Sequence, residues 1–364
     1  MSKAEDEGDH DGETWWPELA PRVEPSAVAK PACRCIDVHT HLKVPAAAAI
    51  AEPHYRPELE PRSLFSSEET LRYNRELHAS EWKSAQFTDP AARLADMDRQ
   101  GIDLQVLAVA PPQYYYWLDE AQAVRACRAQ HERFAGIVAD HPGRFAAIGN
   151  LPMGHPELAV EIMDEAVREH GFGGFEISAD VNGLDLDDRR FDVVWEAAVA
   201  NDVTIVLHPQ GFTHGQRMTD YYLVNVICMP LASTLAVSRM ILGGVWMRHP
   251  GLRMLVVHGG GYLPFYSART DHAFRVRPEL RHHIDRLPSE FLDKLYVDTV
   301  VFDPAMVRQL VARFGADHVL LGSDYPFDMG PSDPVAFVAE AGLDPADAAL
   351  VLGANAERLF KIPS

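Results

Sequence analysis

Short apolar segments that favour β-strands alternate with longer segments of helical pattern along most of the chain. Eight strand-like segments are present, and they lack the apolar–polar alternation of strands with one exposed face. They are residues 34–40, 103–108, 145–151, 174–178, 204–208, 253–258, 295–299 and 319–323. In the segments between them, such as 91–100, 120–141, 156–169 and 191–201, apolar residues recur three and four positions apart. The pattern predicts an α/β fold with parallel strands, and eight repeats predict a (β/α)8 TIM barrel.

The chain is longer than such a barrel needs, and two segments account for the surplus. It has 364 residues, whereas a (β/α)8 barrel typically takes about 250. Residues 1–30 are acidic and then proline-rich, which predicts a disordered leader. Residues 54–88, between the first two strands, are polar and predict an insertion that forms a wall or lid of the site. We therefore expect one barrel domain over residues 31–364.

The composition is strongly acidic, with 53 acidic and 33 basic side chains and a formal net charge of -20. This balance argues against nucleic acid or an anionic membrane as a partner, because both would repel the protein. A small anionic substrate is not excluded, since local arginines and a metal set the field inside a cleft. The first residues lack the basic start and apolar centre of a signal peptide, so we expect a cytoplasmic protein.

Two histidines lie at the end of the first predicted strand. His39 and His41 are separated by one residue, so on a strand their side chains point to the same side. Two imidazoles on one face at a strand end can bind one metal ion. The same spacing also occurs by chance, so the interpretation depends on the ends of the other strands.

Polar residues also follow the later predicted strands, at the edge where barrel enzymes carry their active sites. They are Glu176, His208, His258, Asp298 and Asp324. A buried imidazole or carboxylate without a partner is costly, and a divalent metal satisfies several such groups at once. Asp298 could instead orient a ligand histidine, and Glu176 could form a structural ion pair.

Three histidines and one aspartate, with room left for water, suit zinc or a similar transition metal. The predicted ligands are His39, His41, His208 and Asp324. His258 is predicted as the acid/base, because a metal site with an open position needs a group that manages the proton of its water. Mn²⁺, Fe²⁺ and Co²⁺ remain alternatives to Zn²⁺.

Several motifs of this chain occur together in a known family. They are residues 37–41, 97–101, 151–153, 181–183, 229–230, 258–265 with Arg269 and 271–272, and 322–327. On these motifs, residues 34–360 resemble the metal-dependent amidohydrolase superfamily. Within it the chain is similar to the amidohydrolase-2 type decarboxylases typified by 2-amino-3-carboxymuconate-6-semialdehyde decarboxylase. The resemblance implies a (β/α)8 barrel, one zinc ion on the four ligands above and His258 as the catalytic acid/base.

The resemblance also bears on the number of metals and on assembly. Many amidohydrolases bridge two metals with a carboxylated lysine on the fourth strand, but residues 174–177 read Gly-Phe-Glu-Ile, which favours one metal. Arg269 matches an arginine that contacts the substrate carboxylate across a dimer interface in the family. A guanidinium can bind a carboxylate through two hydrogen bonds. The resemblance therefore implies a homodimer and a small anionic substrate.

Two departures from the family pattern predict a changed substrate pocket. Ser84, next to Lys83, stands where the family has a second substrate arginine, and Gln210 and Gly211 replace a Trp-Asp pair. We therefore expect a substrate other than the muconate semialdehyde. The predicted substrate contacts are Arg269, Gln210, Tyr115 and Glu176. Tyr115 lies in the aromatic run 114–117, which either stacks on a planar substrate or packs on the barrel rim.

Together these features predict a zinc-dependent, non-oxidative decarboxylase of a small unsaturated or aromatic carboxylic acid. The metal lowers the pKa of a bound water, His258 accepts its proton, and Asp324 relays protons besides binding metal. Hydrolysis of an amide, ester, lactone or C–C bond, or a hydration, could use the same water and remains open. A catalytically idle metal-binding barrel is the alternative from a different class.

Overall fold

The computed structural model describes residue 23 and residues 25–363. Most of the predicted leader, residues 1–30, therefore lies outside the described residues. Its described part contacts the body of the protein. The Ser26 hydroxyl and the Ala27 amide donate to the Asp333 carboxylate at 3.1 and 2.7 Å, and the Ser26 amide donates to the Arg99 carbonyl at 2.8 Å. The limits of the leader and of the domain remain predictions.

Each of the eight segments predicted as strands overlaps a strand, and the third overlaps two. The strands are β1 (Ile36–Leu42), β2 (Leu104–Val109), β3 (Phe145–Ala147), β4 (Gly149–Asn150), β5 (Gly174–Ile177), β6 (Asp180–Val181), β7 (Leu184–Asp185), β8 (Thr204–Leu207), β9 (Arg253–Val256), β10 (Leu295–Asp298) and β11 (Val319–Leu320). The β6–β7 hairpin was not predicted, because two-residue strands leave no periodic pattern in the sequence.

The four named helical segments correspond to α5 to α8 in the following set. The helices are α1 (Pro45–Ala51), α2 (Pro61–Leu64), α3 (Glu68–Ala79), α4 (Glu81–Thr88), α5 (Pro90–Gln100), α6 (Glu120–Asp140), α7 (Pro156–His170), α8 (Asp192–Ala200), α9 (Leu223–Val226), α10 (Cys228–Leu242), α11 (Val245–Arg248), α12 (Leu263–Val276), α13 (Pro304–Phe314), α14 (Pro334–Glu340), α15 (Pro345–Ala349) and α16 (Asn355–Phe360). Local chemistry sets their ends: the Asp89 side chain caps α5 by accepting from the Ala91 amide.

The strands form two parallel sheets and one small antiparallel hairpin. One sheet has the order β1-β2-β3 and the other β4-β5-β8-β9-β10-β11, so neighbours follow chain order apart from the hairpin. The sheets adjoin at Ile148, between β3 and β4, whose amide donates to the Leu107 carbonyl at 3.0 Å. At the other end, the Val38 amide donates to the Leu321 carbonyl at 3.0 Å, which joins β1 to the residue after β11. The protein is therefore an α/β protein with parallel sheets.

Apolar side chains cover both faces of the strands. All seven residues of β1 are buried. Leu104 and Val106 of β2 pack in one cluster with Leu255 of β9, whereas Leu107 and Val109 belong to the larger cluster shared with the helices. Burial on both faces explains why the strands read as continuous apolar runs.

One apolar segment of the described chain needs separate mention. Residues 223–242 are long and apolar enough to cross a membrane by length and composition alone, but half of the window is buried inside the fold. A core helix passes the same test, and this one contributes Ala236 and Val237 to the main apolar cluster.

Candidate metal and active site

Four potential metal ligands converge at the carboxyl ends of three strands. His39 and His41 lie on β1, His208 directly follows β8, and Asp324 follows β11. All four are buried, and one potential ligand atom from each lies within 4.8 Å of the others. The Nε2 atoms of His41, His39 and His208 lie 3.1, 3.4 and 4.0 Å from Asp324 Oδ1.

Hydrogen bonds on the far side of each imidazole orient the three histidines. The Nδ1 atoms of His39, His41 and His208 lie 2.6, 3.1 and 3.0 Å from an Asp298 oxygen, the Val109 carbonyl and the Pro209 carbonyl. Carbonyls only accept, so at His41 and His208 Nδ1 carries a hydrogen, which leaves Nε2 as the atom available to a metal.

The inward-facing atoms of this cluster are the ones left without partners. Among the described residues, the three Nε2 atoms and Asp324 Oδ1 are buried and have no hydrogen-bond partner. Such orphaned atoms are costly unless another group satisfies them. Three imidazole nitrogens and one carboxylate oxygen form a donor set that fits zinc or a similar divalent metal. These residues could therefore hold one such ion.

Burial and neighbouring charges act on the ligand histidines in opposite directions. Burial lowers the pKa of His39, whereas at His41 the effect of burial is outweighed by Asp324 and Glu176, which raise its pKa. Burial, and then the neighbouring imidazoles, keep the pKa of His208 well below its usual value, so this ring is neutral. Burial alone would raise the pKa of Asp324, but the imidazoles of His39, His258 and His41 hold it well below its usual value. A neutral imidazole and an ionised carboxylate are the forms that bind metal.

Asp298 connects a potential metal ligand with the turn that carries His258. One of its oxygens contacts His39 Nδ1, and the other accepts from the Gly259 amide at 2.8 Å. A Cβ at Gly322 would lie 3.0 Å from the Cβ atoms of both His39 and Asp298, so glycine allows β11 to approach closely. The sequence had left open that Asp298 orients a ligand histidine. Its contact with His39 Nδ1 is consistent with that role.

His258 lies at a strained turn beside the four donors. Its φ is +55°, and Gly259, Gly260 and Gly261 follow with positive φ. A Cβ at Gly259 would lie 2.3 Å from Val301 Cγ1, so this turn requires glycine. The turn places His258 Nε2 3.7 Å from Asp324 Oδ2, while its buried Nδ1 has no hydrogen-bond partner among the described residues.

A buried arginine that the sequence did not single out contacts the backbone and a ring next to the donors. Arg93 is fully buried, and its Nη1 donates to the His41 carbonyl at 2.8 Å. Its guanidinium carbon lies 4.7 Å from the ring centroid of Tyr325, the residue after Asp324. Arg93 thus contacts two of the three strand ends that carry donors, those of β1 and β11. Its position in a helix of mixed charge gave no signal of this role.

Glu176 forms a hydrogen bond with the aromatic run after β2, close to the donor residue His208. The Tyr114 hydroxyl donates to Glu176 Oε1 at 2.8 Å and lies 3.3 Å from the His208 carbonyl. Burial raises the pKa of Glu176 to about 7. Tyr115, the predicted substrate contact, has a φ of +53° and packs its ring edge-on against Trp117 at 5.7 Å. The sequence singled out this run but not Tyr114 as the residue that reaches Glu176.

Gln210 is tied to the segment between β1 and β2. Its Nε2 donates to Glu60, which also accepts from the Trp117 indole at 2.8 Å. Burial raises the pKa of Glu60 to about 7. A Cβ at Gly211 would lie 2.9 Å from the Arg62 amide nitrogen, so the loop after β8 packs directly on α2. Glu60 lies in a polar stretch without periodicity, and no sequence signal marked it.

The remaining predicted positions differ in exposure. Arg269 is exposed on α12, and within the described chain it has no hydrogen bond or ion pair. Ser84 is exposed, whereas its neighbour Lys83 is buried and donates to the Pro326 carbonyl at 2.6 Å. Burial lowers the pKa of Lys83 to about 8. Of these residues, only Lys83 contacts a segment next to the donors, two residues after Asp324.

The sequence places this site in a family. The family described as Amidohydrolase matches residues 36–362, and the chain belongs to it.

Two curated relatives are decarboxylases by name. Over 264 residues the chain is 32% identical to 2-amino-3-carboxymuconate-6-semialdehyde decarboxylase of Dictyostelium discoideum, covering 72% of each protein. Over 287 residues it is 26% identical to gamma-resorcylate decarboxylase of Polaromonas sp. (strain JS666 / ATCC BAA-500), covering 74% of this chain and 86% of that protein.

The fold is shared with a solved structure. Dihydroxybenzoic acid decarboxylase of Polaromonas sp. JS666, solved with bound manganese and the inhibitor 2-nitroresorcinol, superposes with a TM-score of 0.76 at 21% identity. The match covers 91% of this chain and 97% of that one. The family membership and the decarboxylase relatives agree with the resemblance drawn from the sequence motifs.

Proposed function

We propose that this protein is a metal-dependent, non-oxidative decarboxylase of a small unsaturated or aromatic carboxylic acid. The observation that carries the proposal is the set of four buried, unpartnered donor atoms, with the His258 imidazole beside them. The names of the curated relatives support carboxyl removal as the reaction.

Zinc is the metal we propose, held by His39, His41, His208 and Asp324. A set of three nitrogens and one oxygen with an open position is typical of catalytic zinc. Mn²⁺, Fe²⁺ and Co²⁺ accept the same donors, and the related dihydroxybenzoic acid decarboxylase contains manganese. Elemental analysis of the purified, active protein distinguishes these ions. A stoichiometry well below one ion per chain would contradict the proposal.

A bound divalent cation supplies a Lewis acid that stabilises negative charge on substrate oxygens. His258 holds the proton that the reaction consumes, because its Nε2 faces the Asp324 carboxylate at 3.7 Å and its ring borders the donors. His258 delivers this proton to the substrate carbon that carries the carboxylate. The bond from that carbon to the carboxylate then breaks, CO2 leaves, and the proton takes its place. Asp324 is the second proposed proton-handling group.

The substrate contacts are part of the same proposal. The inner wall of the substrate pocket is formed by Gln210, Tyr115 and Glu176. Arg269 of a second copy of the chain reaches the substrate carboxylate across a homodimer interface. The exposure of Arg269 and of the neighbouring Phe265 and Tyr266 on α12 supports this placement. Light scattering that finds a fully active monomer would contradict it.

The architecture we propose is a closed (β/α)8 barrel with residues 54–88 as a wall of the site. The hydrogen bond from Val38 to Leu321, together with one of 2.7 Å from the His41 amide to the Tyr325 carbonyl, supports closure between the first and last strands. The solved dihydroxybenzoic acid decarboxylase, which superposes with a TM-score of 0.76, supports the same fold. We propose the cytoplasm as the location.

A product assay tests the reaction. The protein is incubated with gamma-resorcylate and related aromatic and unsaturated acids, and CO2 is measured with and without a chelator. We expect CO2 release that stops on metal removal and is lost in His258→Ala. An acid plus a leaving group would indicate a hydrolase, and uptake of water without CO2 would indicate a hydratase. Either result would replace the decarboxylase proposal.

A further inference from the structure

Two cations without a carboxylate partner lie close together beside the metal donors. Lys43 directly follows β1, two residues after His41, and Arg62 lies on α2. Their side chains lie over the two rings of one aromatic pair, Lys43 over Phe87 and Arg62 over Phe327, whose centroids are 5.2 Å apart. Across the described residues neither cation forms a salt bridge, and their polar ends contact aromatic rings instead. Two like charges in a half-buried place are unfavourable unless an anion joins them.

A pair of phenylalanine rings connects these cations with the donors. The Phe327 ring lies 5.2 Å from the His41 imidazole on one side and 5.2 Å from the Phe87 ring on the other, between centroids. The Arg62 guanidinium lies 5.5 Å from the Phe327 centroid, and the Lys43 ammonium 4.2 Å from the Phe87 centroid. One ring, that of Phe327, therefore lies between Arg62 and the His41 imidazole, and Lys43 lies over the next ring of the pair.

The pKa of His78 reflects the positive charge around the Phe87 and Phe327 rings. Burial, and then the charges of Lys43, Arg62 and Lys83, lower its pKa to about 3. Lys83 differs from the other two cations, because Asp328 and Asp96 act on it with opposite charge and it donates to the Pro326 carbonyl. The uncompensated charge thus belongs to Lys43 and Arg62.

The loop after β8 contributes a tyrosine hydroxyl near Arg62. Tyr222 has a φ of +58°, an uncommon conformation for a bulky residue. Its hydroxyl is buried and lacks a hydrogen-bond partner within the described chain. After burial, the charges of Arg62, Asp328 and Asp324 act on its pKa, and Arg62 is also close enough to interact with the hydroxyl directly. A buried donor of this kind needs an acceptor.

We propose that Arg62, Lys43 and Tyr222 form a subsite for a second anionic group of the substrate, which is therefore a dicarboxylate. One carboxylate leaves as CO2 at the metal donors, and the other stays bound to the two cations and the phenol. The inference rests on the proposed function for the reacting end. The rings of Phe87 and Phe327 form an apolar wall that strengthens these charged contacts.

Binding of matched ligands tests the subsite without a chemical step. Benzoate and the three benzenedicarboxylates are titrated by calorimetry into the full-length, metal-loaded protein. We expect at least one diacid to bind about tenfold or more tightly than benzoate, because charge-assisted hydrogen bonds are the stronger class. Arg62→Met should remove most of this preference and leave benzoate binding nearly unchanged. Tyr222→Phe should reduce the preference by about threefold.

The matched control is Arg75→Met, which removes an exposed arginine from α3 of the same segment. It should leave the diacid preference intact. The inference is wrong if no diacid binds better than benzoate, or if Arg62→Met weakens benzoate and diacids equally. If melting curves show that Arg62→Met does not fold, an unchanged preference in Tyr222→Phe overturns the inference and a reduced one supports it. A diacid preference without CO2 release would leave the subsite standing and remove the proposed reaction.

Discussion

The strand ends and the helical segment between β1 and β2 contribute to the site in opposite ways. At the strand ends, the donors are buried and held by backbone carbonyls and by Asp298. The segment supplies Glu60, Arg62 and Lys83, which reach loops that follow other strands. Under the proposed function, the strand ends carry the chemistry, and we expect the segment to select the substrate.

The two regions also differ in how much of their surface is buried. β1 is buried along its whole length, whereas the longest helix of the segment, α3, buries only Leu77. A helix with little buried apolar surface relies on few contacts and opens more easily. We therefore expect substitutions at the strand ends to abolish function and substitutions in the segment to shift selectivity or stability.

The largest effect is expected for Asp324→Ala at the strand ends. The carboxylate is the one oxygen donor of the set and keeps its Oδ1 within 3.4 Å of two imidazoles. We expect loss of the bound metal and activity below detection, measured by elemental analysis and CO2 release. The exposed Asp285→Ala is the control and should retain both. A variant that keeps one ion per chain would show that the ligand set is wrong.

His258→Ala separates proton transfer from metal binding. His258 is not among the four donors, so the metal content should stay at the wild-type level. The rate constant kcat should fall by about 10²–10⁴, the range that a general acid or base contributes. His282→Ala removes an exposed histidine and should leave kcat unchanged. Simultaneous loss of metal and activity would instead assign His258 to the ligands.

Asp298→Asn tests whether the Asp298 carboxylate orients the proposed ligand His39. The change keeps the shape of the side chain but removes the charge that contacts His39 Nδ1 at 2.6 Å. We expect metal affinity to weaken about 10–100-fold, the usual effect of losing such a partner. Competition with a chromophoric chelator measures it. An unchanged affinity would mean that β1 alone orients His39.

Glu60→Gln tests the segment through stability. Burial raises the pKa of Glu60 from its ordinary 4.5 to about 7. Between these values the folded protein binds a proton that the unfolded chain does not, so stability falls as the pH rises through 7. Relative to the variant, wild type should lose about 2–3 kcal/mol of unfolding free energy between pH 5 and pH 8. Urea unfolding at both pH values measures this.

The exposed Glu76→Gln on α3 serves as the control, and its pH dependence should follow that of wild type. Parallel curves for wild type and Glu60→Gln would mean that the carboxyl is solvated in solution.

The sequence was informative where structure follows from local pattern. The strands are buried on both faces, so their apolar runs were visible, and polar residues at their ends stood out against that background. His39, His41, His208 and Asp324 were found in this way, and the structure brings them together.

Contacts that depend on how distant segments meet were not visible. Glu60 and Arg62 lie in a polar stretch, and nothing local shows that α2 packs on the loop after β8. Arg93 reads as an ordinary charged helix residue, although it is fully buried against the His41 carbonyl. In the aromatic run, Tyr114 is the residue that reaches Glu176, and the next residue, Tyr115, has a positive φ that a periodic pattern does not encode.

Gly211 has a consequence for how this enzyme could be redesigned. Its missing side chain leaves room for the Arg62 amide and the Pro61 ring, which a Cβ would approach to 2.9 and 3.1 Å. The loop and α2 are therefore a fitted pair, although about 150 positions separate them in the chain. Placing α2 against a loop that carries a side chain at this position would create a collision, so α2 must be exchanged together with the loop.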